Sequence, residues 1–249
     1  MNILYATLFY GGLTGSELYA YELVRTLKEL GHKVNVYCRG MEEPNLSKYD
    51  TLILNHKPFS QHLAHDFDGR VINICHSELL DQFEAPIISD KITHYVAIRP
   101  GIVQKLHLTH GIPYTKIKLI YNPIDLQRFY PKPPPKHKRK KILFAGSNDY
   151  LRSQVVEDLR KQKAELITVG RGFPIGPTEK IEEYVWDADE TAGIMLGRTT
   201  LESWACNRPA WIYDVDERGN IKSKVRATPP KDLRFIDRYE VAKQIEALC

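Results

Sequence analysis

Two short stretches of this chain carry residue types and spacings that suit phosphate chemistry. Tyr10-Gly11-Gly12-Leu13-Thr14-Gly15 is a glycine-rich turn opening a helix. There, unpaired backbone N–H groups and the helix dipole favour an anion. Its glycines depart from the G-x-G-x-x-G pattern, and a plain tight turn satisfies the same residues. Gly197-Arg198-Thr199 sets an arginine at a second helix start, where the cation and the backbone N–H groups act on a phosphate together. Asp187-Ala188-Asp189 has the formal spacing of a metal-binding carboxylate pair, but its setting between Tyr184-Val185-Trp186 and Thr191-Ala192 reads as surface or helix cap. Cys38, Cys75, Cys206 and Cys249 lack paired metal-ligand spacing, so neither a zinc site nor a disulfide scaffold is expected.

The elements that must position these residues alternate. A strand over 2–9 precedes the glycine turn. Thr14 and Glu17 form a capping-box pair that starts a helix at Gly15 or Ser16. Ala20, Leu23, Val24, Leu27 and Leu30 recur at helical spacing, with Gly31 as the residue that ends it. Strands are predicted over 34–38, 51–54, 71–75, 95–98 and 117–121, with a helix over 100–110. The basic, proline-rich run 132–141 then reads as a linker, because prolines leave ladder positions empty and the charges resist burial. After it the pattern restarts: strands over 141–145, 165–169, 194–196 and 210–213, and helices over about 150–162, 199–206 and 238–248. Asn207 is expected to end the second of these helices in the left-handed conformation. Alternating strands and helices predict parallel sheets. The expected domains are 1–131 and 142–249, joined by 132–141.

Composition narrows the class. The 249 residues are 43% hydrophobic and 27% charged, which is ordinary for a globular chain. Thirty-five Lys and Arg against 31 Asp and Glu leave +4, too little to demand a nucleic-acid partner and enough to permit an anionic one. No apolar run approaches the roughly 20 residues that span a bilayer, and the amino terminus is unlike a signal peptide. A soluble cytoplasmic protein is expected. Lys136, Lys138, Arg139, Lys140 and Lys141, with His137, form a run suited either to solvent or to peripheral contact with an anionic surface, lipid or nucleic acid.

Four stretches resemble the GT-B glycosyltransferases of the retaining, family-four type. They are Gly11-Gly12 with the helix ending Leu30-Gly31-His32-Lys33-Val34; Val96-Ala97-Ile98 with His110-Gly111-Ile112-Pro113 and Lys116-Ile117; Ile120-Tyr121-Asn122-Pro123-Ile124-Asp125-Leu126-Gln127-Arg128-Phe129; and Gly197-Arg198-Thr199-Thr200-Leu201-Glu202-Ser203-Trp204-Ala205-Cys206-Asn207-Arg208-Pro209. The resemblance implies an α/β fold of two Rossmann-like βαβ domains facing across a cleft, the first on the acceptor side and the second binding a nucleotide sugar. It implies that the last helix crosses back to the first domain, which periodicity alone does not show.

The family's site residues carry over one at a time. Its glycine loop near the donor phosphates falls on Gly11 and Gly12, and its donor-facing histidine on His76, the catalytic candidate. Its phosphate-binding Arg and Lys fall on Ser147, after Gly146, and on Arg152. Of its paired glutamates the second, which binds the nucleotide ribose, is Glu202, while Ile194 stands at the first. Arg198, in the turn with Gly197 and Thr199, is the expected replacement for that lost group. The implied activity is transfer of a sugar from a UDP- or GDP-linked donor to an acceptor of unspecified kind (glycan, lipid or nucleic acid), retaining and without metal or other cofactor. Ser147 and Ile194 keep a second reading open, a catalytically silent nucleotide-sugar-binding subunit. The basic run keeps open a third, a transferase that modifies DNA.

Overall fold

The computed structural model describes residues 1–78, 85–134 and 136–249; Pro135 of the basic run lies outside them. The chain forms two compact units. One comprises Met1–Gly12, Ser16–Pro123 and Arg238–Cys249, the other Leu13–Gly15 and Ile124–Asp237.

The first unit is built on six parallel strands, β1 (Asn2–Ala6), β2 (Lys33–Tyr37), β3 (Thr51–Leu54), β4 (Arg70–Cys75), β5 (Ile92–Ala97) and β6 (Ile117–Leu119), in the order β2-β1-β3-β4-β5-β6. Its inner strands are mostly apolar, as strands covered on both faces must be: Ile3, Leu4, Tyr5, Leu52, Ile53, Leu54, Val71 and Ile72 are buried. Helix α1 (Gly15–Glu29) lays Ala20, Leu23, Val24 and Leu27 on this core. It ends where expected, with Gly31 at φ 91° and the His32 N–H reaching back to the Leu27 carbonyl. The short helices α2 (Lys57–Ser60) and α3 (Leu63–Asp66) fill the β3–β4 connection, and α4 (Pro100–Leu108) opens on a proline, whose missing N–H costs nothing there.

The second unit runs β7 (Lys141–Ala145), α5 (Tyr150–Arg160), β8 (Glu165–Val169), α6 (Ile181–Asp187), β9 (Glu190–Ile194), α7 (Arg198–Ala205), β10 (Ala210–Val215) and β11 (Ile221–Ala227). Its sheet has the order β11-β10-β9-β7-β8, parallel except for the antiparallel β10–β11 pair. Asn207 ends α7 at φ 56°, as expected. The strand expected over 194–196 is a correction. β9 ends at Ile194, and Met195, at φ 54°, makes the last bond to β10 through its N–H to the Tyr213 carbonyl before the chain turns away. Its charged first residue disguised it: the buried Glu190 is taken up by Lys140 at 2.7 Å, Arg226 at 2.6 Å and the Trp211 indole at 2.8 Å. Strand β11, with α6 unanticipated in the sequence, hides the same way. Its Lys224 and Arg226 point from alternate positions to Asp158 and Glu190.

The run 132–141 lies inside the second unit. The buried guanidinium of Arg208 donates to the carbonyls of Lys132, Pro133, Trp186, Ala188 and Cys206, so the proline stretch is tied to α6 and α7 rather than left in solvent. His137, Lys140 and Lys141 of the same run have acidic partners in Asp187 and Glu190. Helix α8 (Arg238–Glu246) belongs to the first unit, where Val241, Ala242 and Ile245 are buried. Arg238 bonds Thr26 Oγ1 at 3.0 Å and Glu29 at 2.7 Å, and Glu246 meets His32 at 3.0 Å. No helix among the described residues is long and apolar enough to cross a membrane.

Candidate active site

In an open parallel sheet the chain reverses direction at a switch point, and ligands bind outside the carboxyl ends of the strands there. In the second unit β7 lies between β8 and β9, so the switch falls between β7 and β9. The loop after β7 holds Gly146 and Ser147; the loop after β9 leads through Gly197 into α7. A side-chain hydrogen bond joins them, from Thr199 Oγ1 to the Ala145 carbonyl at 3.4 Å.

Arg198 and Glu202 occupy the first turn of α7 and the turn after it, 2.7 Å apart (Nε to Oε1), with side chains only 8% and 5% exposed. Helix stability gives little reason for this pair. A cation at a helix start opposes the dipole, and a buried ion pair is costly to desolvate. At the α7 start the arginine and the first backbone N–H groups present positive charge together. Burial pushes the Glu202 carboxyl upward, opposed chiefly by Arg198 and then by Arg128. Arg128 itself is held by Glu182, Nε to Oε2 at 3.0 Å.

The loop after β7 is fixed from two sides. Asp149 accepts from Ser147 Oγ at 2.6 Å and from Arg152, which also packs over Gly146. Asn148 bonds the carbonyls of Arg171 and Gly172. Gly170, at φ 131°, lies so close to the Gly146 carbonyl oxygen that a Cβ would overlap it. Arg152 is therefore paired as it stands, and would reach a phosphate only by sharing Asp149.

In the first unit the switch falls between β1 and β3. Gly11 takes φ 89°, and a Cβ on Gly12 would run into the Glu17 carboxylate. His56, directly after β3, was missed in the sequence. It is buried, sits at φ 59°, and holds both sides of the glycine turn. The Leu8 N–H reaches His56 Nδ1 at 3.4 Å, with Thr7 Oγ1 at 3.0 Å, and His56 Nε2 meets Ser16 Oγ at 3.3 Å. A backbone N–H can only donate, so Nδ1 accepts and Nε2 carries the proton. His76, at the end of β4, stacks with His56 at 6.2 Å between centroids and meets the edge of Tyr19 at 4.9 Å. A buried-type run ending in histidine, Leu54-Asn55-His56, was the available signal; it repeats the Ile74-Cys75-His76 pattern.

No family model and no curated protein sequence matches this chain. Solved structures do. The HepE protein of Anabaena in complex with UDP and glucose superposes with a TM-score of 0.61 at 13% identity, over 98% of this chain and 89% of that one. A glycosyltransferase of Rickettsia africae gives 0.62 at 13% identity, over 99% and 87%. An alpha-glucosyltransferase in complex with UDP and a 13-mer DNA containing a HMU base gives 0.60 at 12% identity, over 100% and 89%. The chain has the GT-B fold.

Each GT-B unit thus carries its own cluster at its own switch point. Gly146, Ser147, Arg152, Gly197, Arg198, Thr199 and Glu202 gather in the second unit. Gly11, Gly12 and His76 are in the first, joined there by His56. Asp187 and Asp189 lie elsewhere: they take the Lys141 ammonium and backbone N–H, at the amino-terminal end of β7.

Proposed function

We propose that this protein transfers a sugar from a UDP- or GDP-linked donor to a hydroxyl-bearing acceptor, with retention and without a metal ion. The observation that carries this reading is the buried Arg198–Glu202 pair at the switch point of the second sheet. The GT-B fold supports it, as do the UDP and glucose held by the HepE protein that this chain resembles in fold. The nucleotide ribose hydroxyls donate to Glu202. The diphosphate lies at the start of α7, where Arg198 and the first backbone N–H groups offset its charge, a task a bound metal performs elsewhere. Breaking the bond between the anomeric carbon and the β-phosphate oxygen gives an oxocarbenium-like sugar and a nucleoside diphosphate. The acceptor oxygen forms the new bond on the same face and gives its proton to the leaving phosphate oxygen. His76 orients the donor sugar. The acceptor class is left to experiment, with glycan, lipid and nucleic acid as the candidates.

Calorimetric titration with UDP, GDP and their sugar conjugates, with and without a chelator, tests this, with donor hydrolysis followed in the same samples. Chelator-insensitive binding of one nucleotide with slow hydrolysis of one conjugate is the expected result. Absence of binding by every nucleotide would overturn the reading, and hydrolysis that the chelator abolishes would overturn its metal-independent part.

A further inference from the structure

The first unit carries an open groove of about 530 Å³ at the end of its sheet opposite the glycine turn. Asn2 opens β1, Lys33 opens β2, and Lys48 and Tyr49 lie just before Asp50 and the start of β3, so the groove lies at the amino-terminal ends of three adjacent strands. Lys33 and Asn35 alternate outward around the buried Val34, and the register pairs Asn2 with Lys33 on the same face. Lys28 enters from the last turn of α1.

Charge and donors in this groove point one way. Lys28, Lys33 and Lys48 form no ion pair with any described residue, whereas Lys140, Lys141 and Lys224 of the second unit each have a carboxylate. No carboxylate is among the residues lining the groove, and two that bond its lining residues are engaged there: Asp50 accepts the Asn2 amide at 2.8 Å and Glu246 meets His32 at 3.0 Å. Asn35 Nδ2 donates to Tyr49 Oη at 2.9 Å, which leaves the tyrosine proton to be donated outward. Ordinary structural roles account for part of this. Lys28 suits a helix end, and Lys33 on the edge strand β2 deters strand pairing. Lys48 closes a single 3-10 turn, Leu46–Lys48, where a cation is suited in the same way, yet none of these roles explains why three lysines, an amide and a phenol line one groove.

We propose that this groove binds a small phosphorylated molecule bearing two or more negative charges, with its phosphates on Lys28, Lys33 and Lys48 and its remaining part against Tyr49. The volume falls within the range of small-molecule sites, roughly 300–1,000 Å³, and lysine ammonium groups serve phosphate as point charges. The site is separate from the nucleotide-sugar reading and stands or falls independently of it.

The test is titration of the full chain with inorganic pyrophosphate at low salt, comparing wild type with the combined Lys28→Ala, Lys33→Ala and Lys48→Ala variant and, separately, with Arg198→Ala. The triple variant should lose one binding event by at least about tenfold in affinity, about 1.4 kcal/mol, and Arg198→Ala should leave that event unchanged. Should the triple variant fail to fold, single Lys→Gln changes at the same positions, each lowering affinity by about two- to fivefold, decide the matter. Unaltered pyrophosphate binding in the lysine variants would overturn the proposal. So would duplex DNA or phosphatidylserine vesicles binding through these lysines while pyrophosphate does not, since the face would then serve a polyanionic surface.

Discussion

The imidazole of His56 stacks on that of His76, with ring planes 20° from parallel, although the two residues leave different strands of the first sheet. His56 is anchored to Leu8 and Ser16, on either side of the glycine turn, so this stack ties the turn to the histidine assigned to the donor sugar.

Replacing His56 by alanine should therefore loosen the turn and His76 together. Histidine visits this left-handed conformation more readily than alanine does, and the lost imidazole contacts cost about 1 kcal/mol. Thermal denaturation should show that loss, and donor hydrolysis should fall more than nucleotide affinity. Asparagine tolerates the backbone conformation and offers an acceptor to Leu8, so His56→Asn should recover most of the stability. Equal damage from both substitutions would place the role of His56 elsewhere.

Glu202 gives a pH dependence with two opposite signs. Burial raises its carboxyl above the ordinary value, with Arg198 resisting. A group whose folded pKa exceeds its unfolded one stabilises fully below the unfolded value, and that contribution is lost as pH rises through the folded value. Acid should not unfold the protein through Glu202. Nucleotide binding, which needs the carboxylate, should instead weaken on acidification earlier than an ordinary glutamate allows. Titrations with the preferred nucleotide between neutral and mildly acidic pH would read this directly. Glu202→Gln should flatten the profile and weaken binding by about tenfold or more, as expected for loss of hydrogen bonds to a charged group.

Gly170→Ala is expected to act on the nucleotide site through the backbone of Gly146. Its Cβ must displace the Gly146 carbonyl, and φ 131° is itself unfavourable for alanine, at about 1–3 kcal/mol. The variant should lose nucleotide affinity, measured by calorimetry, while the first unit keeps its pyrophosphate site. Wild-type affinity in a folded Gly170→Ala protein would show that the loop after β7 takes no part in binding.

Arg208→Ala should destabilise the second unit. The change removes the Arg208 donor from the buried carbonyls of Ala188 and Cys206, at about 1–3 kcal/mol for each group left unsatisfied, and from the half-buried carbonyls of Lys132 and Trp186, which water can reach. Chemical denaturation followed by tryptophan fluorescence is suited to this, because Trp186 is one of the partners. Arg208→Lys should not rescue it, since one ammonium cannot span carbonyls on both sides of the planar guanidinium.

The glycine turn, the amphipathic α1, the apolar strands of the first sheet and the two left-handed caps at Gly31 and Asn207 were legible from residue order alone. Each depends on local chemistry: spacing, backbone freedom, or burial on both faces of a strand. The helix start at Gly197-Arg198-Thr199 was legible too as a local pattern, whereas Glu202 was singled out by the family resemblance and its pairing with Arg198 appeared only in the structure. Long-range charge neutralisation concealed the rest. β9 and β11 look too polar for a sheet until Glu190, Lys224 and Arg226 find their partners. His56 is an unremarkable histidine until β1 and β3 bring Leu8 and Ser16 beside it. The basic, proline-rich run resembles a solvated linker until Arg208, 75 residues beyond Pro133, takes its carbonyls. Those contacts depend on which strands become neighbours, and only the folded chain decides that.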